Sequence, residues 1–447
     1  MLSKRRYYTE NLKIALPIIL SFAGQSVVQM LDTIMVGQLG KNELGAVAFA
    51  GTVIINVMVV GIGISISLTP LTGQAFATGS FKKAAGFFQN SLMLNSYMGV
   101  ILTGILLLLF PFLKYMGQPE EVMQHVGGYY IITAISLIPL IMFLSFKQFM
   151  EGIGNTKVAM IITITCNVVN VILNYILIYG KFGAPALGVE GAAIATLIAR
   201  TIMPIAFFLY MYRYYPFKRF FAFFKKENLS FKLQMHLFKI GSPIAGQMVL
   251  ECLCLSLITI MMGWLGAVAL AANQIVMSII SFAFMISNGI VGASTILVSQ
   301  SLGRRNYFDI KHYARASFHM SIAFMAVAGI LFALFGRYIA MIFTPDQEVV
   351  LLAAKLFLFC AFFEVIDGLQ ITALGALRGL VDVNKPMIYA LIAYIFITLP
   401  VSYVLGFVLS LGPVGIILGL TIGLFIACVL FLRRFKYKIG LMESGTK

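Results

Sequence analysis

Apolar residues run along this chain in long uninterrupted blocks, not in the alternation of a half-buried strand or the narrow stripe of a surface helix. Twelve blocks, at approximately 14–36, 45–69, 88–112, 128–149, 157–180, 188–212, 239–263, 267–292, 316–342, 351–372, 387–408 and 413–432, are long enough to cross a bilayer as helices. Barrel strands would show alternating segments of about ten residues, which this pattern lacks. Helices also satisfy their own backbone groups inside hydrocarbon. The pattern therefore predicts an all-α polytopic membrane protein.

Composition agrees with that reading. Of 447 residues, 60% are hydrophobic and only 11% charged, with a mean hydropathy of +0.97, too apolar for a pair of soluble domains. The opening MLSKRRYYTENLKIALPIIL resembles a leader in its basic start, but no small-residue cleavage site follows, so it is read as the first retained span. Cys166, Cys252, Cys254, Cys360 and Cys428 all fall within apolar blocks without metal-ligand spacing and read as small core residues. His125, His236, His312 and His319 are scattered, and no Gly-rich nucleotide loop is present, so neither an enzyme nor a cofactor is expected.

A net charge of +16 would suggest a nucleic-acid partner in a soluble chain. Here the basic residues fall on alternate connections: Lys4 to Lys13, Lys82 and Lys83, Lys147 and Lys157, a run from Arg213 to Lys239, Arg304 to Arg315, Arg378 and Lys385, and Arg433 to Lys447. The opposite connections nearly cancel. By the positive-inside rule both termini are expected in the cytoplasm, and the excess charge reports topology. The partners expected are the lipid bilayer and small molecules, with no nucleic acid and the chain acting as a monomer.

The halves repeat. KIALPI at 13–18 returns as KIGSPI at 239–244, MVGQLG at 35–40 as MMGWLG at 261–266, and LTGQAFATG at 71–79 lies opposite LVSQSLGRR at 297–305, all at one offset of 226 residues. Six spans in each half with the same start side make the repeat parallel. The division expected is a first lobe at 1–212, a basic and aromatic linker at 213–238 lying on the cytoplasmic surface, and a second lobe at 239–447. Together they form two pseudo-symmetric six-helix lobes. Pro17 and Pro243 hold equivalent positions in the first span of each lobe, where a missing backbone donor bends a helix.

Candidate chemistry lies in the polar residues inside the spans. Asp32 in the first span follows Gln25 and Gln29 on nearly the same face, and Asn167, Asn170 and Asn174 line the fifth, with Thr196 in the sixth. Interhelical amide bonding is the structural alternative, but with Asp32 at similar depth an oxygen-rich site for Na⁺ or H⁺ is expected. In the second half Glu251 lies in span 7, and Glu364 and Asp367 lie three apart in span 10, with no basic residue expected at their depth. Such carboxylates mark an ion or substrate pathway and are able to hold a proton, Na⁺ or an organic cation in exchange. Arg200 is the lone cation within a span, expected to meet a carbonyl or carboxylate and serve structure. Trp264 reads as an interfacial anchor.

Four stretches carry a family resemblance: MLDTIMVGQLG at 30–40, LNYILIYGKFGAPALGVEGAAIAT at 173–196, VLECLCLSLITIMMGWLG at 249–266, and the DGLQITALGALRGLVDVNKPM run at 367–387. In these the chain resembles the multidrug and toxic compound extrusion (MATE) family, its NorM-type branch in particular, over essentially its full length. The resemblance implies a multidrug efflux antiporter coupled to Na⁺ or H⁺ that exports amphiphilic organic cations by alternating access. It matches Asp32, Asn170, Asn174 and Thr196 to a first-lobe cation site, and Glu251 and Asp367 to second-lobe carboxylates. It implies Na⁺ held at either set. One departure stands out: a tyrosine often found four residues before the second-lobe aspartate is Phe363 here, which removes an oxygen ligand beside Glu364. The alternatives are a lipid-linked oligosaccharide flippase of related architecture, which should carry more arginine than Arg200 to hold pyrophosphate, and an ion channel, for which no filter sequence is present.

Overall fold

In the computed structural model, which describes residues 4–444, no strand occurs among the described residues and twelve helical spans are long and apolar enough to cross a membrane. Lys447 and the end residues 1–3 and 445–447 of the expected cytoplasmic termini lie outside the described residues, as does the side chain of Lys4. The helices of the first half are α1 (Lys4–Gly37), α2 (Lys41–Ile66), α3 (Leu68–Ala77), α4 (Phe81–Leu109), α5 (Glu120–Ile135), α6 (Leu137–Gly152), α7 (Thr156–Tyr179) and α8 (Gly188–Arg213). A short α9 (Tyr215–Phe221) leads to α10 (Phe231–Trp264), α11 (Ala267–Gly303), α12 (Tyr307–Phe343), α13 (Gln347–Gly379), α14 (Asn384–Ala390), α15 (Leu399–Tyr403) and α16 (Gly412–Glu443).

Two spans are broken, and proline sets where. Pro70 and Pro139 lack the amide that would bond four residues back, at Ile66 and Ile135. The helix stops at those residues: Ser67 and Ser136 intervene, and each hydroxyl donates back into the preceding turn, to Ile64 O at 2.7 Å and Thr133 O at 2.6 Å. Near Pro400 the backbone instead widens into π-helical turns at Leu391–Thr398 and Val404–Val408, where Thr398 Oγ1 donates five residues back to Ala393 O at 2.9 Å. This widened stretch lies against Gly415, Gly419 and Gly423, one turn apart on α16. A Cβ at Gly419 would collide with the Ser402 backbone, so only glycine permits this approach.

The repeat is visible in the turns. Gly40 and Gly266, at 226 residues' separation, both take positive φ before the second span of their half, and Gly79 and Arg305, at the same separation, both do so after it. The chain forms two compact units, one of residues 20–245 and one joining the chain up to Ile19 with Gly246 onward. The boundaries thus fall inside α1 and α10, just after Pro17 and Pro243. In the first unit α4 packs on α6, α2 on α5 and α7 on α8; in the second α13 is central, against α11, α12 and α16.

Several helices outrun their apolar blocks. The residues read as the end of the linker open α10 at Phe231, and the linker's Phe220 is fully buried, edge-on to Phe81 and Phe149. Lys147 and Glu151, expected in a connection, are instead buried on α6 with Nζ and Oε1 3.9 Å apart. Arg378, also expected in a connection, is helical, in the last turn of α13. At Lys147, Glu151 and Arg378 the helix continues past its first charge because packing within the unit covers that turn.

Candidate functional site

Each unit holds a polar cluster that includes the sequence-predicted carboxylates. In residues 20–245 the cluster joins α1 to α7. Asn170 and Asn174 are a turn apart on α7, and both are buried. Asn174 Nδ2 donates to Asp32 Oδ1 and also faces Asn170 Oδ1 at 3.4 Å. Asn174 Oδ1 is buried without a hydrogen bond, so an unmatched acceptor points from the same amide that grips Asp32. An amide oxygen beside a carboxylate is the donor set of a hard monovalent cation.

Asp32 is not solitary, as its sequence context suggests. Arg200 on α8 and Tyr129 on α5 lie within electrostatic reach of it. Arg200 donates from Nη1 to Ser136 Oγ at 2.7 Å, so the expected carbonyl or carboxylate is replaced by the hydroxyl at the α5–α6 break. Proline at 139 opens that break, the serine fills it, and the arginine is fixed there with its charge turned toward the carboxylate cluster. Thr196, half-buried, stands one turn before Arg200 on α8, which packs against α7.

In the other unit Glu251 on α10 and Asp367 on α13 interact electrostatically, and Asp367 acts in turn on Glu364. Glu364 is completely buried, and neither of its oxygens has a hydrogen-bond partner among the described residues. The expectation that this unit's acids lack a cation at their depth is corrected. Arg378 acts on Glu251, and its Nη2 donates to Gln247 Oε1 at 2.8 Å, one turn before Glu251. Arg378 is eleven residues after Asp367, three helical turns on and nearly the same face. The sequence holds that signal, but a hydropathy window ends the span before it.

Two further residues, Gln370 and Tyr394, were not singled out from sequence, and Cys254, read as a small core residue, lies beside them. Gln370, one turn after Asp367, donates to the Tyr394 hydroxyl at 2.9 Å; both are buried. Tyr394 interacts with Glu251 and Asp367 from the π-helical stretch. Cys254 packs beside it, donating to Tyr394 O at 3.6 Å. Phe363, where the family resemblance expects a tyrosine, is buried in the unit's apolar core. A phenol therefore does reach this cluster, but from a different helix. Among the described residues no three His, Cys, Asp or Glu side chains converge as a transition-metal site.

Fold and clusters define a duplicated twelve-span membrane protein with carboxylates buried in each compact unit. The family model described as MatE matches residues 17–176 and again 243–404, two stretches whose starts are separated by the repeat offset. The chain is 30% identical over 426 residues to the probable multidrug resistance protein NorM of Oceanobacillus iheyensis, covering 95% of each. It is 32% identical over 430 residues to the probable multidrug resistance protein NorM of Rhodopseudomonas palustris, covering 95% of this chain and 91% of that one. A solved mutant of the Vibrio cholerae MATE transporter VcmN shares the fold with a TM-score of 0.90 at 18% identity, with 98% of both chains covered. The chain belongs to the MatE family, and within it is of the NorM type.

Proposed function

We propose that this chain is a multidrug efflux antiporter that exports amphiphilic organic cations in exchange for inward Na⁺ or H⁺. The observation that carries the reading is the presence, in each half of a duplicated bundle, of a carboxylate inside an apolar span that interacts with a residue of a second helix: Asp32 with Asn174, and Asp367 with Glu251. Buried acids of this kind mark ion and substrate pathways by default, and parallel repeats are the architecture of rocking transporters. The relatives' names, probable multidrug resistance protein NorM, support the multidrug part of the reading.

Exchange follows from competition. Asp367 and Glu251 act on one another, and Arg378 acts on Glu251 but not on Asp367, so the pair favours a further positive charge beside Asp367. An organic cation or the coupling ion supplies that charge, and arrival of one favours departure of the other. Asp32 with the free oxygen of Asn174 provides oxygen ligands for the coupling ion. The chain works as a monomer in the bacterial inner membrane, with the basic connections and both termini facing the cytoplasm.

The test is drug efflux from proteoliposomes under separately imposed sodium and proton gradients. The reading predicts saturable ethidium efflux driven by at least one of them. Efflux indifferent to both gradients, or an unsaturable ion conductance without drug movement, sinks it.

A further inference from the structure

The start of α4 and the end of the linker enclose, within the unit of residues 20–245, a cavity of about 630 Å³ that neither carboxylate cluster uses. Lys82, Lys83, Gly86 and Phe87 form one side and Phe223 and Leu233 the other. Gly79, which also lines it, turns the chain into α4 at φ +71, a conformation that favours glycine. A Cβ built on Gly79 or Gly86 would meet nothing within 4 Å, so the first turns of α4 front open volume.

The facing wall is held in place by side-chain bonds. Asn90, completely buried on α4, donates to Asn228 O at 2.9 Å and accepts from the Ser230 amide at 2.8 Å. Gln89 donates to Lys225 O at 3.0 Å. Arg219 lies 3.8 Å from the Phe81 ring centroid and holds α9 against the same turn. Walls fixed in this way make the cavity preformed.

Its chemistry is two-sided. The lining carries two cations and no acid. Neither Lys82 nor Lys83 has a carboxylate partner within 4.0 Å among the described residues, and both are exposed. Ser80, at the N-cap of α4, makes no capping bond with its side chain; the Phe81 amide is taken by Gly79 O at 2.9 Å, so the anion-attracting groups here are the two lysines. Phe87, Phe223 and Leu233 supply an apolar wall that a free phosphate would not use. The cavity is set among the linker's basic residues Lys218, Arg219, Lys225, Lys226 and Lys232, on the side where positive charge accumulates and where membranes carry anionic lipid.

We propose that this cavity binds the headgroup of an anionic phospholipid, the phosphate meeting Lys82 and Lys83 while the glycerol and upper acyl region lie on Phe87, Phe223 and Leu233. A bound lipid then bridges α4 and the linker.

The test is native mass spectrometry of the full chain released from detergent micelles, titrated with phosphatidylglycerol and with phosphatidylethanolamine. Wild type retains phosphatidylglycerol at least about tenfold more readily than phosphatidylethanolamine, as expected for two lysines at a membrane surface. Lys82→Gln with Lys83→Gln brings that ratio close to one. Gly86→Leu fills the cavity with both lysines intact and produces the same loss. Unchanged preference in the double lysine variant overturns the proposal, as does full preference in Gly86→Leu, which would assign binding to diffuse surface charge. Equal competition by water-soluble glycerol phosphate also overturns it, because the apolar wall would then contribute nothing.

Discussion

Arg378 donates from Nη2 to Gln247 Oε1 at 2.8 Å, tying the last turn of α13 to α10 one turn before Glu251. The guanidinium is thereby fixed where its charge acts on the carboxylate without forming a closed ion pair with it. A cation anchored beside an exchange site weakens that site's hold on a cationic substrate and speeds release. We therefore expect Arg378→Gln to tighten binding of a monovalent drug cation by roughly threefold to tenfold, about 1 kcal/mol at a moderate effective dielectric. Turnover should fall in parallel because release slows. Binding titrations together with the substrate dependence of efflux check this; a weakened affinity would show that Arg378 organises the site and does not oppose the cation.

The Asp32 cluster yields a second expectation. Asp32→Asn keeps shape but removes the negative charge gripped by Asn174, so gradient-driven ethidium efflux should drop by roughly tenfold or more, in the range of typical coupling free energies. Asn174→Ala removes the donor to Asp32 and the unmatched oxygen together, and should cost a smaller factor, about fivefold. Rates from proteoliposomes reconstituted at equal density decide it. If both variants matched wild type, the cluster would be packing alone.

These clusters differ in how far the sequence discloses them. The twelve spans and the repeat are legible because hydrocarbon demands long apolar helices and duplication leaves the same turns at Gly40 and Gly266. Asn170 and Asn174 are legible as a pair because they lie on one helix at one-turn spacing. Tyr394 and Gln247 are not, since each joins the second cluster from another helix, and which helices meet depends on packing that no single segment encodes. Arg378 and Lys147 are hidden for another reason: a hydropathy window stops at a charge, while a helix continues wherever the unit's own side chains bury that charge.

Outside the clusters, a forked ion pair ties the turn after α13 to α16. Asp382, in the turn after α13, accepts from Arg434 Nε at 2.6 Å and from Nη2 at 3.3 Å, with both side chains largely buried. Arg434→Ala leaves Asp382 without this fork and should destabilise the fold by about 2–3 kcal/mol, whereas Arg434→Lys keeps the charge and loses less. The five free cysteines all lie within helices, so thermal unfolding followed with a thiol-reactive dye reads the change. A melting temperature unaltered in Arg434→Ala would mean that this turn opens before the global transition.

Glu364 presents the sharpest conflict between stability and use. It is fully buried, and neither oxygen is hydrogen-bonded among the described residues, while Ser321 Oγ on the adjoining α12 is also buried and unmatched. Removing an unmatched buried polar group generally gains stability, so Glu364→Leu should raise the midpoint of thiol-monitored unfolding by a few degrees, equivalent to about 1–2 kcal/mol. If Glu364 belongs to the proposed exchange site, as its electrostatic coupling to Asp367 supports, the same variant should lose transport. Glu364→Gln, which keeps the polar shape without the titratable group, should resemble Glu364→Leu in transport but not in stability. A Glu364→Leu protein that is both more stable and fully active would remove Glu364 from the exchange site and leave Asp367 with Glu251 to carry it alone.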